Sequence, residues 1–177
     1  MKNLFLYLLA FCLSSMSAYA QIEIKTQPVS LAAKTATIGL EYGLKPRLGL
    51  EVEYSYVFLS RQFNIPNGLK ANAYFLILKH YLNAKATLSK LYVGGYSSFI
   101  NTTSLTNAYT SFSVGATGGY KGLVFNDHLV LESGLNLGKR FSYKNGKLMT
   151  DQDFGKGQIR FFYEWDISLR LLIGYRF

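Results

Sequence analysis

The feature that most restricts this chain is a strict two-residue alternation held over long stretches. Leu48, Leu50, Val52, Tyr54, Tyr56 and Phe58 share one face of a strand while Gly49, Glu51, Glu53 and Ser55 share the other. Successive side chains point to opposite sides only in extended backbone, so this period excludes a helix. The same pattern recurs in Ile38, Leu40, Tyr42 and Leu44 against Thr37, Gly39, Glu41 and Gly43. It returns in Leu129, Leu131, Leu135 and Leu137 against Glu132, Gly134, Asn136 and Gly138, and from Trp165 to Phe177 against Asp166, Ser168, Arg170, Gly174 and Arg176. The segments run about 10–14 residues, whereas soluble strands average about 5–6. Tilted strands of about 9–11 residues are the length a bilayer demands.

Composition supports an aromatic, apolar β protein. Of 177 residues 49% are hydrophobic, and only 16% are charged against the roughly 25% of a soluble domain. Fourteen Tyr and 13 Phe favour strands. The single Cys excludes a disulfide framework or a Cys-based zinc site.

Residues 1–20 read as a signal peptide: Lys2, an apolar run from Leu4 to Leu13, then Ser17-Ala18-Tyr19-Ala20 with cleavage expected after Ala20. The run is too short for a spanning helix, which needs about 20 residues. Removing the segment takes away Cys12 and leaves the barrel domain 21–177 with a formal charge of +8 rather than +9.

Turn residues set the strand count. Short links are expected at Lys45-Pro46-Arg47, around Asn83 to Thr87 and at Phe125-Asn126-Asp127. Longer links are expected at Ser60 to Gly68, Asn101 to Ala108 and Phe141 to Gln158. Short and long links alternate, as the two ends of an outer-membrane barrel require. A first strand from Ile22, turning near Ala33 to Thr35, completes an even number. The expected fold is all-β: an eight-stranded antiparallel up-and-down transmembrane β-barrel.

A barrel of eight strands is just filled by side chains. Alternation places Glu41, Glu51, Glu53, Glu132 and Asp166 in the interior with Arg140, Arg170, Arg176, Lys25 and Lys121. Unpaired buried charge is costly, so these are expected to form a paired network that closes the lumen. On the final strand Ile173, Tyr175 and Phe177 share the apolar face.

Taken together, the chain resembles the small eight-stranded outer-membrane proteins of the OmpA transmembrane-domain and OmpX type. It is more similar still to barrels common in Bacteroidota, through Lys25-Thr26, Gly39-Leu40-Glu41-Tyr42-Gly43-Leu44 and the close Leu172-Ile173-Gly174-Tyr175-Arg176-Phe177. The resemblance implies an integral outer-membrane location and assembly by the barrel-assembly machinery, which reads a terminal aromatic strand such as Ile173, Tyr175 and Phe177. It carries over no peptidoglycan-binding domain.

Signals for chemistry are sparse. His80 and His128 form no H-E-x-x-H motif, and Gly134-Leu135-Asn136-Leu137-Gly138-Lys139-Arg140 falls one residue short of a P-loop and lacks its Ser or Thr. No catalytic residue, metal site or cofactor is expected. The basic residues of the last long loop, Lys144, Lys147, Lys156 and Arg160, are candidates for contact with lipopolysaccharide phosphates. The expected function is that of a non-enzymatic, monomeric outer-membrane barrel contributing to envelope structure or surface interactions through its loops. Its partners are outer-membrane lipid and lipopolysaccharide, with no nucleic acid. A lipid A or phospholipid-modifying barrel enzyme, and a barrel that binds or transports a small hydrophobic ligand, are the alternatives.

Overall fold

The computed structural model describes residues 21–32, 35–58, 70–82, 88–103, 108–149 and 164–177. The strands are β1 (Ile22–Thr26), β2 (Thr35–Lys45), β3 (Leu48–Phe58), β4 (Lys70–Tyr81), β5 (Lys90–Thr103), β6 (Ala108–Val124), β7 (Leu129–Lys144), β8 (Lys147–Leu148) and β9 (Trp165–Arg176), with one short helix, α1 (Pro28–Ala32). Every pairing is antiparallel, and the order β6-β5-β4-β3-β2-β1-β9-β7 closes through β6 on β7. The result is a closed eight-stranded barrel, built from β1–β7 and β9, with β8 as a hairpin extension of β7.

Turn chemistry explains the connections at one end, here called the turn end. Pro46 and Arg47 link β2 to β3. Phe125, Asn126 and Asp127 all adopt positive φ (51°, 57° and 67°) between β6 and β7, a conformation that Asn and Asp tolerate well. At the opposite, loop end, β5 and β6 extend into the expected link Asn101 to Ala108, pairing Thr103 with Ala108. The remainder of the long links lies outside the described residues, as do residues 1–20.

Two sequence expectations are corrected. The first strand ends at Thr26 and does not run to a turn near Ala33. Pro28 has no N–H to give a strand neighbour and its ring fixes φ, which suits the first turn of a helix. The chain accordingly coils as α1, with the Ser30 hydroxyl donating to the Gln27 and Thr35 carbonyls at 2.6 and 2.9 Å. Beyond Thr26, α1 lies where a strand would otherwise join β2 to β9. Nor does Phe141 begin a long loop. β7 continues to Lys144 and reverses through Asn145-Gly146, both at positive φ (49° and 80°), as a two-residue hairpin turn requires.

The barrel is inverted in polarity relative to a soluble protein. Leu40, Val52, Leu76, Val93, Val114, Leu135 and Ile167, one from each of β2–β7 and β9, point outward and are 49–52% exposed. An outward aromatic row crosses five strands in register, Tyr54–Tyr74–Phe99–Phe112–Phe141. Its first two rings lie 5.2 Å apart. Such cross-strand pairs contribute roughly 0.2–1 kcal/mol each.

A narrow barrel needs close backbone approach, and Gly94 supplies it: a Cβ there would lie 1.8 Å from the Leu78 carbonyl oxygen. Relief requires parting β4 from β5. Gly94→Ala is expected to cost roughly 1–3 kcal/mol, the range for overpacking, read as a lower urea midpoint of the folded barrel. An unchanged midpoint would contradict this packing.

Candidate functional site in the barrel lumen

Alternation turns the polar residues of every strand inward, where the barrel's curvature brings them together. Glu41 and Glu51 face each other across β2 and β3, and Lys79 on β4 continues that wall. From the other side come Glu23 and Lys25 on β1, Lys121 on β6, Glu132 on β7, and Arg170 and Arg176 on β9. All are nearly or fully shut off from solvent.

The ammonium of Lys25 is the hub. Its Nζ lies 2.7 Å from Glu51 and 2.6 Å from Glu132, donates to Glu41 as well, and stands 3.3 Å from Glu23. Lys79 Nζ reaches the same three acceptors, Glu41, Glu51 and Glu132, at 3.0, 2.6 and 2.5 Å. Lys121 bridges Glu23 and Glu41 at 2.9 and 2.8 Å. Arg170 binds Glu51 and, at 2.8 Å, Glu53, while Arg176 donates from Nε to Glu23 at 2.9 Å. Five carboxylates thus meet five cations in one connected cluster. Two tyrosines complete it: the Tyr81 hydroxyl donates to Glu41 at 2.5 Å and the Tyr92 hydroxyl to Glu132 at 2.9 Å. Lys79 and Lys121 also lie over the Tyr92 and Tyr81 rings, 4.8 and 4.7 Å from their centroids. Dense pairing of this kind is what makes buried charge tolerable.

The cluster is sealed at the turn end. Leu88 packs with Tyr81 and Tyr92, and its carbonyl accepts from Arg176 Nη2 at 2.8 Å. The carboxylate oxygens of Glu41, Glu51 and Glu132 converge within 4.8 Å of one another, a spacing that would suit a cation. Lys25 and Lys79 already contact all three, so their ammonium groups take that role.

Nearer the loop end a second, smaller pair forms. Arg140 Nη2 donates to Asp166 at 2.7 Å, and Ser98 donates to the same carboxylate at 3.3 Å. Arg140 is not enclosed as alternation suggests. Its side chain is 25% exposed, five residues from the loop end of β7 counting Lys144 itself. The structure brings the other interior residues expected from sequence into the two clusters: Glu41, Glu51, Glu53, Glu132, Arg170, Lys25, Lys121 and Arg176 in the first, Asp166 in the second. Sequence reasoning passed over Glu23, Lys79, Tyr81 and Tyr92. Glu23 and Lys79 keep the inward phase of Lys25 and Ile77, so periodicity alone could have found both.

The remaining candidates lie elsewhere. Lys144 and Lys147 flank the exposed Asn145-Gly146 turn, with Lys144 5.9 Å over the Tyr109 ring. Lys156 and Arg160 lie outside the described residues. His80 points outward at the turn end, and His128 stacks on Tyr175 with its Nδ1 3.1 Å from the Arg176 carbonyl. On the apolar face of β9, Ile173 and Tyr175 look outward, and Phe177 packs edge-on against Tyr175 and donates its N–H to Ile22 at 3.0 Å.

Fold and lumen together define a small antiparallel barrel with a polar interior filled by paired charges. The chain belongs to the family described as "Protein of unknown function (DUF3575)", whose model matches residues 4–153. No curated protein and no solved structure matches it.

Proposed function

We propose that the chain is an integral outer-membrane β-barrel of the OmpA and OmpX type, non-enzymatic and monomeric, that serves envelope structure and surface contact. The observation that carries this reading is the inverted polarity: charges packed inside a closed wall, with half-exposed Leu, Val and Ile around seven strands. In water so large an apolar surface invites aggregation; in hydrocarbon it is the required exterior, and a closed barrel leaves few backbone groups without partners. Strands of 11–17 residues in β2–β7 and β9 supply the length.

In this reading residues 1–20 are a signal peptide removed after Ala20, and the tight-turn end faces the periplasm. Lys144 and Lys147 then project toward the phosphates of lipopolysaccharide at the outer face. The twelve charges of the two interior clusters cancel, so the formal +8 left once residues 1–20 are removed is carried by the other residues. That surplus favours an anionic lipid surface.

Fractionation of cells producing the full chain tests the proposal. The protein is expected to sediment with the outer membrane and to migrate faster on a gel before boiling than after. Recovery in the soluble periplasmic fraction, with no heat-dependent shift, would overturn it.

A further inference from the structure

The barrel wall has a notch. β1 joins β2 to β9 only from Ile22 to Thr26, and its ladder with β9 stops at the Thr26–Ile173 pair, whereas β9 continues to Trp165. In an antiparallel ladder the N–H and C=O of one residue point to one neighbouring strand and those of the next residue to the other. Arg176 donates its N–H to His128 on the β7 side, and Phe177 donates to Ile22 on the β1 side. The register to both neighbours is unbroken, so Ile167, Leu169 and Leu171 direct their N–H and C=O groups away from β7 into the notch. None of these groups has a hydrogen-bond partner among the described residues.

The opposite side of the notch is capped. The Thr26 hydroxyl donates to the Thr37 carbonyl at 2.7 Å and the Ser30 hydroxyl to the Thr35 carbonyl, which fastens α1 to β2. No hydrogen bond joins α1 to β9 among the described residues. Exposure marks the same place: Leu169 on β9, at 65%, and Ile38 on β2, at 57%, are the two most exposed large apolar residues of the described strands. The chain's own next segment fits this edge poorly. Continued in the β1 register, Pro28 would face Leu171 with no N–H to give, and period two would turn Val29 and Leu31 to the charged lumen and Ser30 to the outside. Coiling as α1 avoids this and leaves the β9 edge bare.

The chemistry narrows the occupant. Donors and acceptors that alternate at strand spacing are matched in order by another extended backbone. We infer that the β9 edge from Ile167 to Leu171 is a docking site for one extended strand of a partner protein, added antiparallel beside β9. Residues of that strand opposite Ile167, Leu169 and Leu171 share their outward face and are apolar, while those between them, beside Ser168 and Arg170, are small and polar. A second copy of the barrel does not reach the edge with its own β9, which is recessed beside β2 in the same way. The open edge follows from the pairing alone; the apolar outward face asked of the partner rests on the membrane reading, in which Leu169, at the level of Leu135, meets hydrocarbon and no water to bond.

The test is a titration of the folded, isotope-labelled full chain in detergent micelles with a capped peptide of alternating Val and Ser, about eight residues long, followed by amide chemical shifts. The amides of Ile167, Leu169 and Leu171 are expected to shift to saturation, with cross-strand contacts from the peptide to the same residues. Leu169→Pro removes the central donor without touching the β7 ladder, so the variant should fold and bind the peptide about tenfold more weakly or worse. The same peptide N-methylated at each Val cannot donate to the edge and should not bind; it makes the test on the unaltered protein should Leu169→Pro fail to fold. Equal binding by the methylated peptide would mean mere adhesion to an apolar wall. That result, no saturating shift at the three amides, or shifts there that follow protein concentration without peptide, the mark of a second copy, would overturn the inference.

Discussion

Replacing Lys25 by Met is expected to destabilise the barrel by about 3–5 kcal/mol, the cost of removing one partner from a buried ion cluster. Lys25 contacts Glu23, Glu41, Glu51 and Glu132 at once, so its loss leaves five carboxylates facing four cations in a closed lumen. Whichever of the four remaining cations shifts toward the gap, one negative charge stays uncompensated in the lumen. Such a loss is a large fraction of the roughly 5–15 kcal/mol that holds a typical protein folded. Urea-dependent unfolding in lipid vesicles, followed by the gel shift or by the fluorescence of Trp165, the only tryptophan, measures it. A control, Lys45→Met at the exposed end of β2, should stay within about 0.5 kcal/mol of wild type. Adding Glu132→Gln to Lys25→Met should recover part of the loss, since it removes one of the stranded charges. A Lys25→Met midpoint indistinguishable from the control would mean that the interior charges are not a connected cluster.

Leu135→Arg is the second large effect. Leu135 lies midway along β7, points outward and is half exposed. In a soluble barrel an arginine there would be nearly neutral, because surface substitutions usually fall within about 0.5 kcal/mol. In a membrane barrel the same change places a guanidinium against hydrocarbon and costs about 2–4 kcal/mol near the midplane. Leu148→Arg is the matched comparison. Leu148 is equally exposed but lies on the β8 extension beyond the barrel wall, where the cost should fall to about 0–1 kcal/mol. A pair of variants with equal, small effects would remove the membrane reading while leaving the fold untouched.

The two experiments probe opposite faces of one wall, and those faces were unequally legible in the sequence. The outward face was plain: from Leu48 to Phe58 and from Trp165 to Phe177 every outward position is apolar or aromatic, Val57 and Leu172 being apolar exceptions on the inward side, and every strand so marked is present. The inward face could be assigned a side but not its partners. Glu51 and Arg170 are 119 residues apart, and nothing local indicates that they meet. Glu23 and Lys79 were passed over although period two sets Glu23 in phase with Lys25 and Lys79 in phase with Ile77. Failures at the ends had local causes. Pro28 stops the β1 ladder, and Asn145-Gly146 closes a hairpin within a stretch whose many polar and basic residues look like a loop. That Ser113 Oγ, Thr117 Oγ1 and Asn136 Oδ1 lack a partner among the described residues had no sequence signal at all, because being without a partner is a property of the surroundings and not of the residue.

Side-chain period is a one-dimensional property, carried by consecutive residues through the geometry of extended backbone. The class of fold, the strand-rich architecture and the two opposed faces of the wall therefore follow from the order of residues alone. Which charge neutralises which depends on barrel closure, because β1 must pair with both β2 and β9 before Glu23 and Lys25 can reach residues from distant parts of the chain. Closure also sets how the lumen is filled, since that depends on how inward side chains from eight strands share one narrow space. Only the tertiary structure decides those two properties, and the stability of the plug rests on them.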